Sequence, residues 1–164
     1  MAAMLLDSYD RAILRTLQRD GRITKAKLAE TVNLTASPLW ERLHRLEQSG
    51  IIAGYSARLS LKKLTPTTIV MVELVLKQHR ATDFERFETR VRATPEIVDC
   101  QATGGGIDYI MKVVVRDIDA YQRLMDDLLE SDLQIERYYS YVVTKAVKDN
   151  AEVPLDALLA GDGA

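Results

Sequence analysis

The segment 67–76, TTIVMVELVL, constrains the fold most strongly, because apolar residues occupy both of the alternating sets of positions that a β-strand presents. One face would carry Val70, Val72, Leu74 and Leu76, and the other would carry Ile69, Met71 and Val75. A strand with one solvated face shows polar residues at every second position. This strand is therefore expected to be buried on both sides.

Strand and helix patterns alternate after this segment. The predicted elements are a helix capped by Asp83 and ending at Thr94-Pro95, strands over 97–103 and 108–115, a helix capped by Asp117 or Asp119, and a last strand over 135–147. With the first strand, the order is βαββαβ, which is that of a ferredoxin-like α+β domain. We predict this domain over 67–148, followed by a C-terminal tail over 149–164.

The predicted domain has too few helices to cover both faces of its sheet. Two helices pack on one face, and an open apolar face is a liability unless something covers it. The same face of a second copy is the economical cover, so the sequence predicts an obligate homodimer. The alternative is that the tail, residues 149–164, folds back over the sheet.

The first sixty residues have the pattern of three short helices. Good N-caps stand at Asp7, where Asp10 completes a capping box, and at Thr24 and Thr35. Two short helices joined by a tight turn and preceded by a supporting helix form a helix-turn-helix. We predict a DNA-binding domain over 1–60, which includes a wing-like strand after Gly50, and a hinge over 61–66.

The outward face of the third helix predicts how this domain reads DNA. Leu39, Leu43 and Leu46 form the buried stripe, so the opposite face is expected in the major groove. The candidate DNA-binding residues are Thr35, Ser37, Trp40, Arg42, His44 and Arg45, with Arg22, Lys25 and Lys27 beside the second helix for phosphates. Residues 1–60 carry nine Lys and Arg against six Asp and Glu, whereas residues 61–164 carry 13 against 18, so only the front half suits an anionic partner.

Some of these assignments have a simpler interpretation. Trp40 fits a partly buried boundary position as well as it fits a base contact. Glu41 could accept from a cytosine amino group, but it also fits an i,i+4 pair with Arg45. An exposed arginine on a helix is usually only solvated, and three helices can form a plain packing module.

Catalytic and metal-binding patterns are missing from the sequence. We find no Ser/His/Asp or Cys/His set, no paired metal ligands and no phosphate loop, so we predict no enzyme activity, metal or cofactor. The one cysteine, Cys100, cannot form an internal disulfide. No apolar run approaches the length of a membrane helix and the N-terminus does not have the pattern of a signal peptide, so we expect a cytoplasmic protein.

The motifs DGRIT, KLAETVNLT, ERLHRLEQSGIIAGYSA, PEIVDC, GGIDYIMKV and SYVVTKAVK follow one another between about Leu6 and Lys148. In this order they resemble the Lrp/AsnC family of feast/famine regulators. The resemblance implies a sequence-specific DNA-binding transcriptional regulator whose assembly or DNA affinity responds to a small molecule, usually an amino acid bound between dimers. It also implies dimers that often assemble to octamers, and a dimer would read a pseudo-palindromic operator in double-stranded DNA.

The same resemblance implies an effector site. The family's G-x-x-D-Y turn falls on Gly105, Asp108 and Tyr109, and Gly104 stands where relatives commonly have Ser or Thr. The candidate effector-binding residues are Gly104, Gly105, Gly106, Asp108, Tyr109, Ile118, Tyr141, Val142 and Val143. Backbone N–H groups of the turn could hold a carboxylate, and Asp108 an α-amino group.

Two alternatives stay open at this point. In the first, the glycines serve only a hairpin turn with positive φ that Asp108 caps locally. The whole chain could also be a ferredoxin-like small-molecule-binding assembly module that does not bind DNA.

Overall fold

The computed structural model describes residues 5–149 and 152–160, which form two compact units. Unit 1 contains the residues up to Arg58 together with those from Lys148 onward, whereas unit 2 spans Leu59–Val147. The chain therefore passes from unit 1 into unit 2 and back again, so that segments near both of its ends contribute to unit 1.

Unit 1 is built on three helices, α1 (Ser8–Arg19), α2 (Lys25–Thr31) and α3 (Ala36–Gln48). The capping box is confirmed: the Asp7 carboxylate accepts from the N–H of Asp10 at 2.9 Å, and that of Asp10 accepts from the N–H of Asp7 at 3.3 Å. Thr24 caps α2 by accepting from the N–H of Lys27 at 3.2 Å. Thr35 precedes α3 with extended backbone, but its hydroxyl makes no capping bond.

Apolar side chains from all three helices form the core of unit 1. Its most buried members include Ile13, Leu28, Leu39 and Leu46. The turn between α2 and α3 is tight because Asn33 takes the left-handed conformation, with φ at 56°. As a result α3 contacts both α1 and α2, which is the arrangement of a helix-turn-helix.

The segment after α3 differs from the prediction. Residues 51–60 form no strand, and a short helix, α4 (Leu61–Leu64), occupies most of the predicted hinge. An extended segment becomes a strand only when a neighbour supplies hydrogen bonds, and no strand among the described residues pairs with this one. Tyr55 anchors the segment, because its hydroxyl donates to the Glu47 carboxylate at 2.9 Å.

Unit 2 is a four-stranded antiparallel sheet with two main helices. Its elements are β1 (Thr68–Leu76), α5 (Ala81–Arg92), β2 (Ile97–Ala102), β3 (Tyr109–Val115), α6 (Ile118–Glu130) and β4 (Ile135–Val142). The strand order is β2-β3-β1-β4. Together with the βαββαβ order along the chain, this confirms the predicted ferredoxin-like domain.

Two boundary predictions in unit 2 are wrong. The helix α5 begins at Ala81, so Asp83 is not its N-cap but its third residue. From there the Asp83 carboxylate accepts from the N–H of Arg80 at 3.3 Å. The strand β4 ends at Val142 rather than at Val147, because β1 begins at Thr68, only two residues beyond the partner of Val142, and has no residues to pair with the later positions.

Both helices cover the same face of the sheet. Phe87 of α5 and Met125 and Leu128 of α6 are fully buried against Met111 of β3. Leu129 is 43% exposed although it follows the buried Leu128, because each residue turns about 100° around the helix and Leu129 falls outside the buried face.

The other face of the sheet, here called the open sheet face, carries no covering layer from the helices of unit 2. The register of β1 with β3 and β4 places these residues on it: Ile69, Met71, Glu73, Val75, Ile110, Lys112, Val114, Arg137, Tyr139 and Tyr141. The face is less uniformly apolar than predicted, because Glu73, Lys112 and Arg137 lie on it. The Tyr141 hydroxyl donates to Glu73 at 3.2 Å.

The described part of the tail lies in unit 1. Residues 152–154 lead into a short helix, α7 (Leu155–Leu158), and Leu155 packs against the three-helix core. The alternative that the tail covers the sheet is therefore wrong for residues 152–160, and the rest of the tail beyond 160 lies outside the described residues.

Candidate DNA-binding surface and effector site

The helix α3 presents the exposed face that the helical wheel predicts. Ser37, Trp40, Glu41, His44 and Arg45 are all exposed. Trp40 is 53% exposed, and its ring stacks on that of His44 with the centroids 5.1 Å apart and 12° between the planes. Trp40 therefore lies on the outward face, where the stacked pair offers flat apolar surface beside polar donors.

A buried carboxylate holds two arginines of α3. The Arg42 guanidinium donates from Nη1 to Asp7 at 2.6 Å and to Asp10 at 2.8 Å, and Arg45 donates from Nη2 to Asp10 at 2.7 Å. Asp10 is only 1% exposed. Charge-assisted hydrogen bonds to a carboxylate are about twice as strong as neutral ones, so Asp10 ties α1 to α3 and orients both arginines.

Arg42 and Arg45 differ in how much of each guanidinium remains available for a contact with DNA. The Arg42 side chain is 25% exposed, bridges two carboxylates and lies over the ring of Tyr9 at 5.3 Å. The Arg45 side chain is 49% exposed and contacts Asp10 through Nη2. Arg45 is therefore the better candidate for a base or phosphate contact, whereas Arg42 is chiefly a clamp between helices.

The charge of Asp7 is stabilised in this arrangement. The N–H of Asp10 lowers the pKa of the Asp7 carboxyl, and the Arg42 guanidinium adds to that effect against the opposing effect of burial. The same carboxylates raise the pKa of Arg42. Both groups remain charged at neutral pH, so the link between α1 and α3 is an ion pair.

The remaining candidates for DNA contact surround α2 and the start of α3. Arg22, Lys25, Thr35 and Ser37 are exposed, whereas Lys27 is engaged by Glu30 at 2.8 Å. An open groove of about 440 Å³ separates α2 from α3, and its lining includes Lys25, Ala26, Ser37, Leu39, Trp40 and Leu43. This part of unit 1 thus joins basic, hydroxyl and apolar groups on one surface.

The turn between β2 and β3 carries the predicted effector glycines. Gly105 has φ at 136°, whereas neither Gly104 nor Gly106 has positive φ. The Asp108 carboxylate accepts from the N–H of Leu76 at 2.8 Å and lies 3.0 Å from Nε2 of His79. These contacts anchor the turn locally, and they leave its role in effector binding a prediction.

A groove lies between α5 and this end of the sheet. Tyr109 forms its floor: the residue is buried, and its hydroxyl donates to Glu88 at 3.2 Å, with burial and Glu88 raising the pKa of the phenol. The groove measures about 660 Å³ and is lined by Ala81, Phe84, Glu85, Glu88, Arg92, Ala102, Thr103, Asp108 and Tyr109. Its lining combines charged side chains, such as Glu88 and Arg92, with apolar ones.

The other predicted effector residues lie farther along the sheet from the glycine turn. β3 runs from Tyr109, beside the glycine turn, to Val115, just before Ile118, so Ile118 lies beyond the far end of this strand. The register with β1 places Tyr141 level with Lys112 and Val142 level with Val113. The four residue steps from Tyr109 to Val113 span about 13 Å.

Two residues with clear contacts were missed by sequence reasoning. Asp10 was explained fully by its capping role, and its contacts with α3 join residues 32 and 35 positions apart. His79 stands alone in a loop, and its contact with Asp108 spans 29 positions. Local patterns carry no signal for pairs so distant in sequence.

Other kinds of site were searched for among residues 5–149 and 152–160. No group of three His, Cys, Asp or Glu side chains in these ranges could hold a metal ion, and no helix in them is long and apolar enough to cross a membrane. Burial, together with the Asp99 and Glu88 carboxylates, raises the pKa of Cys100 to about 11. The thiol is therefore protonated at neutral pH and is a poor nucleophile.

Both units match known domain families. Residues 6–53 match a winged helix-turn-helix DNA-binding domain, and residues 69–153 match the Lrp/AsnC ligand binding domain. A helix-turn-helix joined to a ligand-binding domain defines a transcriptional regulator rather than an enzyme. The chain belongs to the Lrp/AsnC family, which confirms the family predicted from its motifs.

Similar proteins cover nearly the whole chain. It is 53% identical to the transcriptional regulatory protein DoeX of Halomonas elongata over 94% of this chain and 99% of that one. It is 38% identical to the leucine-responsive regulatory protein of Escherichia coli K12, over 88% of each chain.

Solved structures give the same picture. An AsnC family regulator from Agrobacterium tumefaciens superposes with a TM-score of 0.86 at 32% identity, over 94% of this chain and 100% of that one. A transcriptional regulator from Neisseria meningitidis, solved as a complex with L-Met, superposes with a TM-score of 0.87 at 32% identity over the same shares.

Proposed function

We propose that a dimer of this chain reads a pseudo-palindromic operator through α3, and that an amino acid bound to unit 2 changes its assembly or its affinity for DNA. The observation that carries the DNA-reading part is the exposed face of α3, where Arg45, His44 and Trp40 lie outside the core. Arginine and histidine donors match the acceptors of base edges and phosphates. The start of α3, with Thr35 and Ser37, suits a phosphate.

Substitution of Arg45 tests the reading face. Arg45→Ala is expected to weaken operator binding by about tenfold, because one good arginine contact to a base is worth roughly 1–3 kcal/mol. The measurement is a mobility-shift titration on the upstream region of the chain's own gene, with circular dichroism as a check on folding. Arg123→Ala, which removes an exposed arginine from α6 in unit 2, is the control.

Two results would count against this part of the proposal. Equal affinity of Arg45→Ala and the wild type would exclude the proposed face of α3. A wild-type chain without affinity for any duplex would favour the alternative of an assembly module. Affinity is also expected to fall steeply with salt, because phosphate contacts release counterions.

The amino-acid effector rests on the relatives and on the groove of unit 2. One relative is named a leucine-responsive regulator, and another was solved with L-Met. The groove beside Tyr109 offers both Arg92 and acidic side chains, which could pair with the carboxylate and the amino group of an amino acid. We therefore assign the effector to that chemical class.

Thermal denaturation against the twenty amino acids tests the effector. At least one is expected to raise the melting temperature, since a ligand that binds only the folded state stabilises it. Asp108→Asn keeps an acceptor for the N–H of Leu76 and removes the charge, so it should fold and lose the response. No shift with any amino acid, together with unchanged assembly size, would contradict the assignment.

Assembly beyond the monomer is the last part of the proposal. The open sheet face would be covered by its equivalent in a second copy. The glycine turn and residues 141–143 lie apart along the sheet of one chain, and a second copy could supply one of these groups to a shared site. We infer a dimer that assembles further, to an octamer, in the cytoplasm; light scattering with and without amino acids measures its mass.

A further inference from the structure

Two ion pairs fasten the C-terminal segment to α1. The Arg19 Nε donates to both carboxylate oxygens of Glu152, at 3.0 and 3.1 Å, and Arg15 contacts Asp156 at 3.1 Å. All four side chains are substantially exposed. The segment is thus attached to the outside of the DNA-binding unit by charge complementarity.

A side-chain amide adds directional bonds between the two ion pairs. The Gln18 Oε1 accepts from the N–H of Val153 at 2.6 Å, and its Nε2 donates to the carbonyl of Val153 at 3.4 Å. An amide that both donates to and accepts from one residue's backbone acts as a neighbouring strand does. It fixes the position of the segment along α1, which ion pairs alone do not do.

An apolar contact completes the docking surface. Leu155 packs against the core of the three helices, just where α7 begins. The contact residues on α1 are Arg15, Gln18 and Arg19, whose spacing of three and four places them on one face of the helix. Two ion pairs and the Gln18 amide therefore meet on one face of α1, and the apolar contact of Leu155 with the core adds to them.

We propose that residues 152–158 are a docking strap for this face of α1, and that the strap gives each DNA-binding unit a second attachment to its ligand-binding unit. The first attachment is the chain at 58–59, and the second is the segment that leaves β4 and ends on α1. This inference rests on the proposed reading of paired half-sites by a dimer. Two attachments restrict the range of each unit more than one does, which raises the effective concentration of the second reader once the first has bound.

The strength of the strap suits reversible docking. Exposed ion pairs are individually weak and are screened by salt. The strap stays docked because its tether keeps it close to α1, so modest changes in either partner shift the docked fraction. Docking is therefore expected to weaken as salt is raised.

Charge exchange between Arg19 and Glu152 provides the test. In the full chain, Arg19→Glu and Glu152→Arg each place like charges together and should undock the strap, whereas the double variant restores an opposite pair and should redock it. A third variant replaces residues 152–158 by a Gly/Ser sequence of the same length, which removes docking without shortening the chain.

Hydrogen exchange of α1 measures docking without reference to DNA. Both single variants and the Gly/Ser variant should exchange faster than wild type on the face of α1 under the strap, and the double variant should return towards wild type. Unchanged exchange in all three undocked variants would overturn the docking strap.

DNA titration measures what the strap does. The probes are a duplex with two half-sites, selected from random DNA by the wild-type chain, and the same duplex with one half-site scrambled. The undocked variants are expected to lose about tenfold in affinity for the paired site and little for the single site, because only the paired site uses the second reader. Equal losses on both probes, or none, would overturn the role in positioning while the exchange result still decides docking. If the wild-type chain binds no duplex at all, the proposed function fails, and the positioning role fails with it.

Co-expression of the two single variants decides which copy a strap binds. Within each single-variant chain residues 19 and 152 carry like charges, so docking on the same chain stays lost in a mixed dimer. Recovery of paired-site affinity in the mixture would show that straps cross between copies and would overturn docking within one chain.

Discussion

Asp10 makes the contacts that most affect the recognition helix. It is a buried carboxylate that caps α1 and receives hydrogen bonds from Arg42 and Arg45 of α3. The capping role can be predicted from the sequence, because a capping box joins residues three positions apart. The role in holding α3 is not, since it depends on how two helices cross.

Substitution of Asp10 should affect both stability and DNA binding. Asp10→Asn keeps the shape but removes the charge that two arginines contact, so it is expected to lower the free energy of unfolding by about 1–3 kcal/mol. Because Arg45 is released, operator affinity should fall as well. Urea denaturation and mobility-shift titration measure the two effects.

Asp126→Asn is the matched control for Asp10→Asn. Asp126 is an exposed carboxylate of α6 whose contact is with Gln122 on the same helix. It should change neither quantity by more than about 0.5 kcal/mol. If Asp10→Asn behaved like this control, the clamp would contribute nothing.

Asp7 should contribute a pH-dependent part of the stability. Its folded pKa lies below the unfolded value of about 3.9, so its contribution is fully present above that pH and is lost as the pH falls through the folded pKa. Asp7→Ser keeps an N-cap oxygen without a titrating group. Between about pH 4 and pH 2, unfolding followed by circular dichroism should show a smaller loss of stability in Asp7→Ser than in wild type. Parallel curves would exclude the contribution.

At the scale of elements, the glycine turn between β2 and β3 contains one glycine whose backbone conformation favours glycine and one whose conformation does not. Gly105 has φ at 136° and Gly104 does not have positive φ, although an added Cβ would meet no atom within 4 Å at either position. Gly105→Ala is therefore expected to lower the free energy of unfolding by about 1–3 kcal/mol through backbone strain alone.

Gly104→Ser serves as the control for that substitution. It should be tolerated within about 0.5 kcal/mol, because its backbone suits any residue and the space is open. Thermal unfolding of the two variants measures the difference. Similar melting temperatures would show that the turn relaxes around Gly105.

Element type could be predicted more reliably than element boundaries. The apolar periodicity of β1, α3 and α6 and their caps locate these elements, because the signals are local. The segment 51–60 and the end of β4 could not be predicted, because a strand requires a partner that the local sequence does not name. The start of α5 was predicted wrongly from Asp83, because a carboxylate is favourable both at the N-cap and at the third residue of a helix.

At the scale of the whole molecule, the open sheet face is the surface through which we propose that two copies pair. A charge placed at its centre should separate the copies, because Met71 lies between Lys112 and Tyr141 in the register. Met71→Glu is expected to weaken dimerisation by about thirtyfold or more, since burying a carboxylate at the interface carries a desolvation cost that the neighbouring Lys112 offsets only in part. Light scattering over a dilution series gives the mass.

Gln122→Glu controls for the added charge in that experiment. Gln122 is exposed on α6, on the helix-covered side of the sheet. The control should remain a dimer under conditions in which Met71→Glu becomes a monomer. A dimer in both variants would show that another surface joins the copies.

The sequence predicts which residues are candidates for the two sites, but it predicts only partly where they lie in the fold. The exposed face of α3 follows from its period, and Trp40, His44 and Arg45 lie there. The effector residues are grouped by family resemblance, and the sheet separates the glycine turn from residues 141–143 along its strands. Only the sheet register reveals that separation, since sequence motifs carry no distances.

A unit assembled from two separated segments of a chain has a consequence for its synthesis. Translation releases α1, α2 and α3 first, whereas the strap that docks on α1 is made only after all of unit 2. A nascent chain therefore exposes the α1 patch until residues 152–158 have left the ribosome. Any product that stops before residue 152 keeps the reading helix and lacks the strap, so premature termination would yield regulators with the same contacts to a half-site but looser geometry.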